Sequence, residues 1–249
     1  MVQKIHHVGI VVREIDEALR FYQDSLGLPV IKRGELKRHG VAAALLATGE
    51  SAIELVEPTD PTTGVARFLR ERGEGLHHLC FQTEDVGRDL IELRQKGVLL
   101  IDEVPRPGLP GLIAFLHPKS TAGVLVELAS PTEEIPRHEA VRMKRVVISS
   151  SDVPRACDLY RDLFDIHGKS VNGNARTLLD VGRSALLIVP AEEAGGVEGM
   201  LALSLVSEDL SLLLERFRGH GVALRSGAGE LTVEPSSSHG VHLHVSRYE

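Results

Sequence analysis

The chain has 249 residues, of which 43% are hydrophobic and 25% are charged, and it carries a formal net charge of −7 at pH 7. This composition is typical of a globular protein, and the negative charge gives no reason to expect a nucleic acid or a membrane surface as a partner. Two cysteines exclude a disulfide framework, and a strand-like N-terminus without a signal peptide favours a cytoplasmic protein.

A strand–helix–strands unit recurs along the chain. In its first copy, residues 3–12 are rich in Val and Ile and predict a strand. Residues 14–26 carry apolar side chains at helical spacing and predict a helix, with Gly27 as its C-terminal cap. Two further strands are predicted at 41–47 and 52–57.

The second copy repeats this order after a short connecting helix. The elements predicted for this region are the connecting helix at 62–73, a strand at 76–82, a helix at 85–96 capped by Gly97, and strands near 112–117 and 123–129. The repeated order predicts that the two copies have the same fold.

The pattern stops in a polar segment and then starts again. Residues 131–142 contain two prolines and no periodicity, so they predict a linker. Residues 144–166 align with 6–28 without a gap, and another helix is predicted at 208–218. The sequence therefore predicts an α+β protein whose domains cover residues 1–130 and 143–249.

Two His/Glu pairs have nearly the same internal spacing, because Glu54 follows His7 by 47 residues and Glu127 follows His78 by 49 residues. The two histidines lie in the similar strings IHHVGIVV and LHHLCFQT. A carboxylate within an apolar strand is costly to bury unless a charge or a metal pairs with it. Two imidazoles and two carboxylates suit a divalent first-row metal, so the pairs predict one metal site built from two copies.

Each histidine of interest has a histidine beside it. Because side chains alternate along a strand, His6 and His7 are expected on opposite faces, as are His77 and His78. We favour His7 and His78 as ligands because these two positions align with each other in the repeat.

Four strings carry a resemblance to a known family: IHHVGIVV, LRFYQDSLGL, GVARFLRERGEGLHHLCF and FLHPKSTAGVLVEL. Over residues 3–129 the chain resembles the methylmalonyl-CoA epimerases of the vicinal-oxygen-chelate superfamily. The resemblance implies tandem βαβββ modules that form two vicinal-oxygen-chelate domains with curled mixed β-sheets around one divalent ion. It places His7, Glu54, His78 and Glu127 on the ligand positions and leaves Co, Mn, Ni, Zn and Mg open.

The same resemblance implies interconversion of (2R)- and (2S)-methylmalonyl-CoA by removal of the α-proton, through an enolate that the metal stabilises. Glu127 and Glu54 are then the candidate base and acid. An anionic acyl-CoA also requires positive charge, for which the candidates are Arg106, Lys119 and Arg38. Whether the chain forms a homodimer is left open.

Two positions depart from the epimerase pattern. Ala43 stands where many epimerases carry an acidic residue, and Glu54 stands where those members often have Gln, so Glu54 is a candidate replacement for the missing carboxylate. The set His/Glu/His/Glu is also that of bacterial glyoxalase I, which makes a glyoxalase-type lactoylglutathione lyase the first alternative. A non-catalytic binding protein and an Fe(II) dioxygenase are further alternatives, although four ligands disfavour both.

The second half resembles another domain of the superfamily that has lost the ligands. The positions that correspond to the four ligands hold Arg145, Leu187, Ala202 and His244. The sequence therefore predicts a metal-free lobe, retained for packing, for closing the cleft or for imitating a partner subunit.

Overall fold

The structure is a computed structural model that describes residues 2–171, 173, 175–227 and 229–248. The strands of the first half are β1 (Lys4–Val11), β2 (Val30–Leu36), β3 (Val41–Thr48), β4 (Ser51–Pro58), β5 (Gly75–Gln82), β6 (Arg106–Pro107), β7 (Gly111–Leu116) and β8 (Val126–Pro131). Its helices are α1 (Ile15–Leu19), α2 (Gly64–Arg72) and α3 (Val86–Gln95).

The second half repeats this order of elements. Its strands are β9 (Val141–Ser150), β10 (Gly168–Val171), β11 (Arg176–Val181), β12 (Ser184–Pro190), β13 (Gly199–Ser207), β14 (Leu224–Gly227), β15 (Glu230–Val233) and β16 (His242–Ser246). Its helices are α4 (Val153–Phe164) and α5 (Leu210–Gly219).

Each half contributes one eight-stranded sheet. The strand order is β2-β3-β4-β1-β5-β8-β7-β6 in the first sheet and β10-β11-β12-β9-β13-β16-β15-β14 in the second. Both sheets are mixed, because β5 pairs with β8 and β9 with β12 in parallel while the hairpins are antiparallel. The predicted α+β class with tandem βαβββ modules is confirmed, whereas the domain limits at 1–130 and 143–249 stay a prediction.

The sequence does not predict β2 and β6, which lie at the two edges of the first sheet. The sequence of β2 lacks the alternation of apolar and polar residues that marks a half-buried strand. This agrees with its exposure, because none of its residues is fully buried. β6 has only two residues, which is too short to leave a periodic pattern.

The helix predicted after β1 is present, but its character changes at Arg20. α1 continues as a π-helical stretch over Arg20–Ser25, in which the N–H of Leu26 donates to the carbonyl oxygen of Phe21 at 2.8 Å. The stretch buries two consecutive aromatic side chains, Phe21 and Tyr22. Apolar spacing alone does not distinguish such a stretch from a regular α-helix.

The contacts of the chain divide it into two compact units. The first unit comprises Met1–His7, His78–Glu134 and Arg145–Leu201, and the second comprises Val8–His77, Ile135–Lys144 and Ala202–Glu249. Each unit therefore combines segments of the first half with segments of the second half. None of the helices in the described ranges has the length and apolar character needed to span a bilayer.

In the first unit, α4 contributes aromatic rings to a cluster with β5. The ring of Phe164 lies 5.2 Å from that of Phe81 and 5.9 Å from that of Tyr160. At the surface, the Nζ atom of Lys96 donates to the carbonyl oxygen of Asp162 at 2.6 Å. Residues of the second half thus bury apolar side chains of the first half within this unit.

The second unit is built in the same way from α5 and the π-helical stretch. The rings of Phe21 and Phe217 stack with their centroids 6.0 Å apart, and the Ser25 Oγ lies 2.8 Å from the His220 Nδ1. Both aromatic side chains are at most 5% exposed. The contact therefore belongs to the core of this unit.

Tyr22 and Tyr160 occupy equivalent positions in the repeat, but only one of the two phenols has a hydrogen-bond partner. The Tyr22 hydroxyl donates to the carbonyl oxygen of Ser238 at 2.9 Å, whereas the Tyr160 hydroxyl has no partner among the described residues. Both side chains are at most 1% exposed, and burial raises the pKa of both phenols.

This difference predicts unequal effects of the same substitution. We expect Tyr22→Phe to lower the free energy of unfolding by about 1 kcal/mol, because a buried hydrogen bond is lost. Tyr160→Phe is expected to leave it unchanged or slightly higher, because it removes an unpaired buried hydroxyl. Urea unfolding of the two variants beside the wild type measures both values, and equal losses in the two variants would contradict the prediction.

Candidate metal and proton-transfer site

Three of the predicted ligands meet inside the first unit. His7 lies on β1, His78 on β5 and Glu127 on β8, and each is at most 3% exposed. The two Nε2 atoms of the histidines are 3.0 Å apart. The Glu127 Oε2 lies 3.2 Å from the His78 Nε2 and 3.7 Å from the His7 Nε2. Three donor atoms from three strands therefore converge on one point.

The fourth predicted ligand, Glu54, lies on β4 opposite Leu45 of β3 and is 6% exposed. One ligand atom from each of four residues lies within 4.8 Å of the others, and these residues are His7, Glu54, His78 and Glu127. The structure thus brings together the set that the repeat indicates, and its role in binding a metal stays a prediction.

The donor chemistry of this cluster fits a divalent ion. Two imidazole nitrogens face each other, and a carboxylate oxygen of Glu127 faces both. Burying a carboxylate beside nitrogen lone pairs is costly unless a proton or a cation balances its charge. Two nitrogen and two oxygen donors match the ligand preferences of Zn, Co, Ni and Mn.

The structure distinguishes the two members of each HH pair. The ring of His77 packs edge-on against that of Phe68 of α2, with centroids 4.9 Å apart. The Nδ1 atom of His6 lies 2.8 Å from the Nδ1 of His7, whose Nε2 faces His78. Neither His6 nor His77 belongs to the four-residue cluster, as the alignment of the repeat indicates.

Phe115 forms an apolar wall beside the cluster. It pairs with Glu127 in the register of β7 and β8, and its ring lies edge-on to that of His78 with centroids 5.3 Å apart. It also packs against an apolar group that consists of Cys80, Ile113 and Ala129. No motif in the sequence marks Phe115 as a site residue; the signal that could have found it is the pairing of β7 with β8, which places it opposite Glu127.

Arg106 lies over the ring of Phe115. Its guanidinium carbon is 5.4 Å from the centre of the Phe115 ring, and its Nε donates to the Asp102 Oδ1 at 2.9 Å. The other carboxylate oxygen of Asp102 accepts from the Phe115 backbone N–H at 2.9 Å. The predicted substrate-binding Arg106 is thus held over a side chain that touches His78.

The other two predicted substrate-binding residues lie in exposed turns. Lys119 is in the 3-10 turn Pro118–Ser120, whose backbone is capped by the His117 Nδ1. Arg38 is in the 3-10 turn Lys37–His39. Both side chains are exposed, and neither belongs to the four-residue cluster.

In the second half, the positions that correspond to the ligands are Arg145 on β9, Leu187 on β12, Ala202 on β13 and His244 on β16. Arg145 pairs with Ala185, and Leu187 with Leu178. The exposed His244 ring places its Nδ1 3.2 Å from the Thr232 Oγ1. That this half is a metal-free lobe stays a prediction.

Comparisons with known proteins agree with the fold. The family described as the glyoxalase/bleomycin resistance protein/dioxygenase superfamily matches residues 6–115. The mitochondrial methylmalonyl-CoA epimerase of Homo sapiens is 32% identical over 127 residues, which are 50% of this chain and 72% of the human protein.

Among solved structures, the first half is again similar to a methylmalonyl-CoA epimerase. A single-residue variant of methylmalonyl-CoA epimerase of Streptomyces coelicolor, in complex with 2-nitronate-propionyl-CoA, is 35% identical with a TM-score of 0.52. The match covers 53% of this chain and 100% of the other. A mutant 4-hydroxymandelate synthase of the same organism is 15% identical with a TM-score of 0.73, and the match covers 98% of this chain and 92% of the synthase. The second likeness concerns the fold alone and extends over both halves.

Proposed function

The chain belongs to the glyoxalase/bleomycin resistance protein/dioxygenase superfamily and, through its first half, to the methylmalonyl-CoA epimerases within it, and we propose that it interconverts the (2R) and (2S) forms of methylmalonyl-CoA. Its relatives are isomerases, so the enzyme class expected from the sequence is confirmed. The substrate, the metal and the roles of individual residues are parts of the proposal.

One observation carries the proposal: two histidine nitrogens and two carboxylates converge in a buried cluster beside an apolar wall. A proton next to a thioester carbonyl is weakly acidic. Its removal therefore needs a base at short range and a positive charge near the carbonyl oxygen. The cluster offers carboxylate bases and a donor set for a cation in one place.

The four residues of the cluster would hold one divalent ion, which when bound supplies a positive charge that favours an anionic thioester oxygen. In the proposed mechanism, a carboxylate oxygen of Glu127 takes the C2 proton, and the electron pair of the C–H bond moves toward the thioester carbonyl. Glu54 starts this direction of the reaction protonated and gives that proton to the opposite face of C2 as the electron pair returns to the carbon. Glu127 is then left protonated for the reverse direction. Glu54 and Glu127 each have two carboxylate oxygens, so one oxygen could bind the ion while the other exchanges a proton with the substrate. Phe115 limits access of water.

The anionic part of the substrate requires cations outside the cluster. We propose Arg106 for this role because Asp102 and the Phe115 ring fix its position, and a guanidinium presents several donors to a carboxylate or a phosphate. Lys119 and Arg38 are proposed as weaker contacts to the phosphates, since an exposed side chain loses more freedom on binding. The proposed partner is therefore an acyl-CoA.

Proton exchange at C2 tests the proposed function. The protein loaded with Co²⁺ is incubated with methylmalonyl-CoA in deuterated water, beside a chelator-treated control, and the C2 proton signal is followed by NMR. We expect the signal to disappear only in the sample that contains metal. If metal is bound and the proton does not exchange, the epimerase proposal is wrong.

Glu54 favours one alternative function. A second Glu in place of Gln gives the ligand set His/Glu/His/Glu, which the resemblance also associates with glyoxalase I. The alternative predicts that the loaded protein isomerises the hemithioacetal of methylglyoxal and glutathione. Isomerisation of this adduct without exchange of the methylmalonyl-CoA proton would support it.

We propose a packing role for the second half, with the domain limits that the sequence predicts. Two rings of the second half lie in the cores of the compact units: that of Phe164 in the first unit and that of Phe217 in the second. Both rings contact aromatic side chains of the first half, Phe81 and Phe21. Burial of this apolar surface stabilises the fold without any ligand in the second half.

A further inference from the structure

His6 is buried beside the cluster but takes no part in the mechanism described above. It is 2% exposed, and its Nδ1 atom lies 2.8 Å from the Nδ1 of His7. The planes of the two rings meet at 80° with centroids 5.1 Å apart, and His7 meets His78 at 86° at the same separation. His7 therefore contacts a different imidazole through each of its two nitrogens.

The contact is unexpected for neighbouring residues of a strand, whose side chains point to opposite faces. It forms because Nδ1 is bonded directly to Cγ and so lies close to the main chain in both rings. The Nε2 atom lies at the far end of the ring, where that of His7 reaches the Nε2 of His78 at 3.0 Å. The Nδ1 atom of His7 thus contacts His6, and its Nε2 atom contacts His78.

The proposed metal site would determine where the hydrogens of this contact lie. Two ring nitrogens 2.8 Å apart share one hydrogen, which one ring donates and the other accepts. If His7 is neutral and its Nε2 lone pair is free for a metal, its hydrogen must lie on Nδ1. His6 must then accept at Nδ1 and carry its own hydrogen on Nε2.

We propose that His6 is a positioning residue that accepts a hydrogen bond from the His7 Nδ1 and so keeps the His7 Nε2 lone pair directed into the cluster. The inference rests on the proposed metal site and adds a residue that acts through His7. Acceptors behind a metal-bound histidine fix its tautomer and ring orientation, and their loss weakens metal affinity by about 10- to 100-fold. An apolar residue at this position would leave both rotation and tautomer of His7 less restricted.

Substitutions at His6 separate this role from simple packing. His6→Asn keeps an acceptor, because its Oδ1 is attached to Cγ as Nδ1 is in histidine. His6→Leu has similar bulk and no acceptor. We expect His6→Leu to raise the dissociation constant for Co²⁺ about 10- to 100-fold, measured by competition with a chromophoric chelator, and His6→Asn to stay within about threefold of the wild type.

A second readout needs no metal. In protein labelled with ¹⁵N-histidine, long-range ¹H–¹⁵N spectra of the metal-free form report which nitrogen of His7 carries the hydrogen. The wild type and His6→Asn are expected to hold it on Nδ1, and His6→Leu to show a mixture of both tautomers. This measurement tests the hydrogen bond even if the wild type binds no metal, a result that would contradict the proposed function instead.

Three results would overturn the inference. His6→Leu could bind Co²⁺ as tightly as the wild type, or His6→Asn could lose as much affinity as His6→Leu. The third is a stoichiometry of two ions per chain with a sulfur-to-cobalt absorption band that is lost in Cys80→Ser. That result would make His6 a ligand, because a ligand atom of His6 lies within 4.8 Å of ligand atoms of His7 and Cys80.

Discussion

Replacing Glu127 by Gln is expected to lower the rate of epimerisation by about 10²- to 10⁴-fold, which is the usual contribution of a positioned general base. The same change is expected to weaken metal binding, because a neutral amide replaces a charged carboxylate 3.2 Å from the His78 Nε2. Gln has nearly the shape of Glu, so packing against Phe115 is preserved. Rate and affinity should therefore fall together in a folded protein.

The control for this variant is the same substitution at an exposed site. Glu92→Gln on α3 changes a side chain that is 58% exposed and pairs only with Arg88 among the described residues, so we expect no change in rate or metal affinity. Epimerisation is followed by coupling to an enzyme specific for one epimer, and Co²⁺ affinity by chelator competition. A Glu127→Gln protein that keeps both the rate and the affinity of the wild type would show that Glu127 is neither base nor ligand.

The cluster could be predicted because it follows from local rules. Alternation along a strand fixes which residues share a face, and the repeat supplies the same face twice. His7 and Glu127 lie 120 positions apart in the sequence, yet each position could be assigned from its own strand. A buried carboxylate in an apolar strand was itself a signal, since its burial requires a partner.

Contacts that depend on tertiary packing could not be predicted in this way. Phe21 meets Phe217, and Phe81 meets Phe164, across long stretches of sequence. Apolar spacing reports that each ring is buried but carries no information about which ring it meets. The contact between the Nδ1 atoms of His6 and His7 had the same limit, because it depends on how two adjacent rings turn.

Glu54 and Ala43 offer a sharper test of the proposed proton transfer. In the antiparallel pair of β3 and β4, Ala43 lies opposite Val56, and Leu45 lies opposite Glu54. Ala43 and Glu54 are therefore diagonal neighbours on one face of the sheet, and such neighbours are typically about 7 to 8 Å apart. A carboxylate attached at either position can reach the same region.

We expect Glu54→Gln to reduce epimerisation by about 10²- to 10⁴-fold. Unlike Glu127→Gln, it should largely keep metal binding, because Gln is the residue that the resemblance to the epimerases associates with this ligand position. If Glu127 is the other proton-transfer group, one epimer should continue to exchange its C2 proton for deuterium without inversion. NMR and chiral analysis of the recovered substrate measure the two processes separately. Retention of full epimerisation would exclude Glu54 as acid or base.

Adding a carboxylate at the diagonal position should restore part of the lost activity. We expect the double variant Ala43→Glu/Glu54→Gln to epimerise at least about tenfold faster than Glu54→Gln. The new carboxylate should restore part of the rate enhancement that general acid–base catalysis provides. The matched control is Ala42→Glu/Glu54→Gln, because Ala42 lies opposite Glu57 and points to the other face of the sheet. Rescue by both double variants, or by neither when both are folded and bind Co²⁺, would show that Glu54 does not stand in for a carboxylate at position 43.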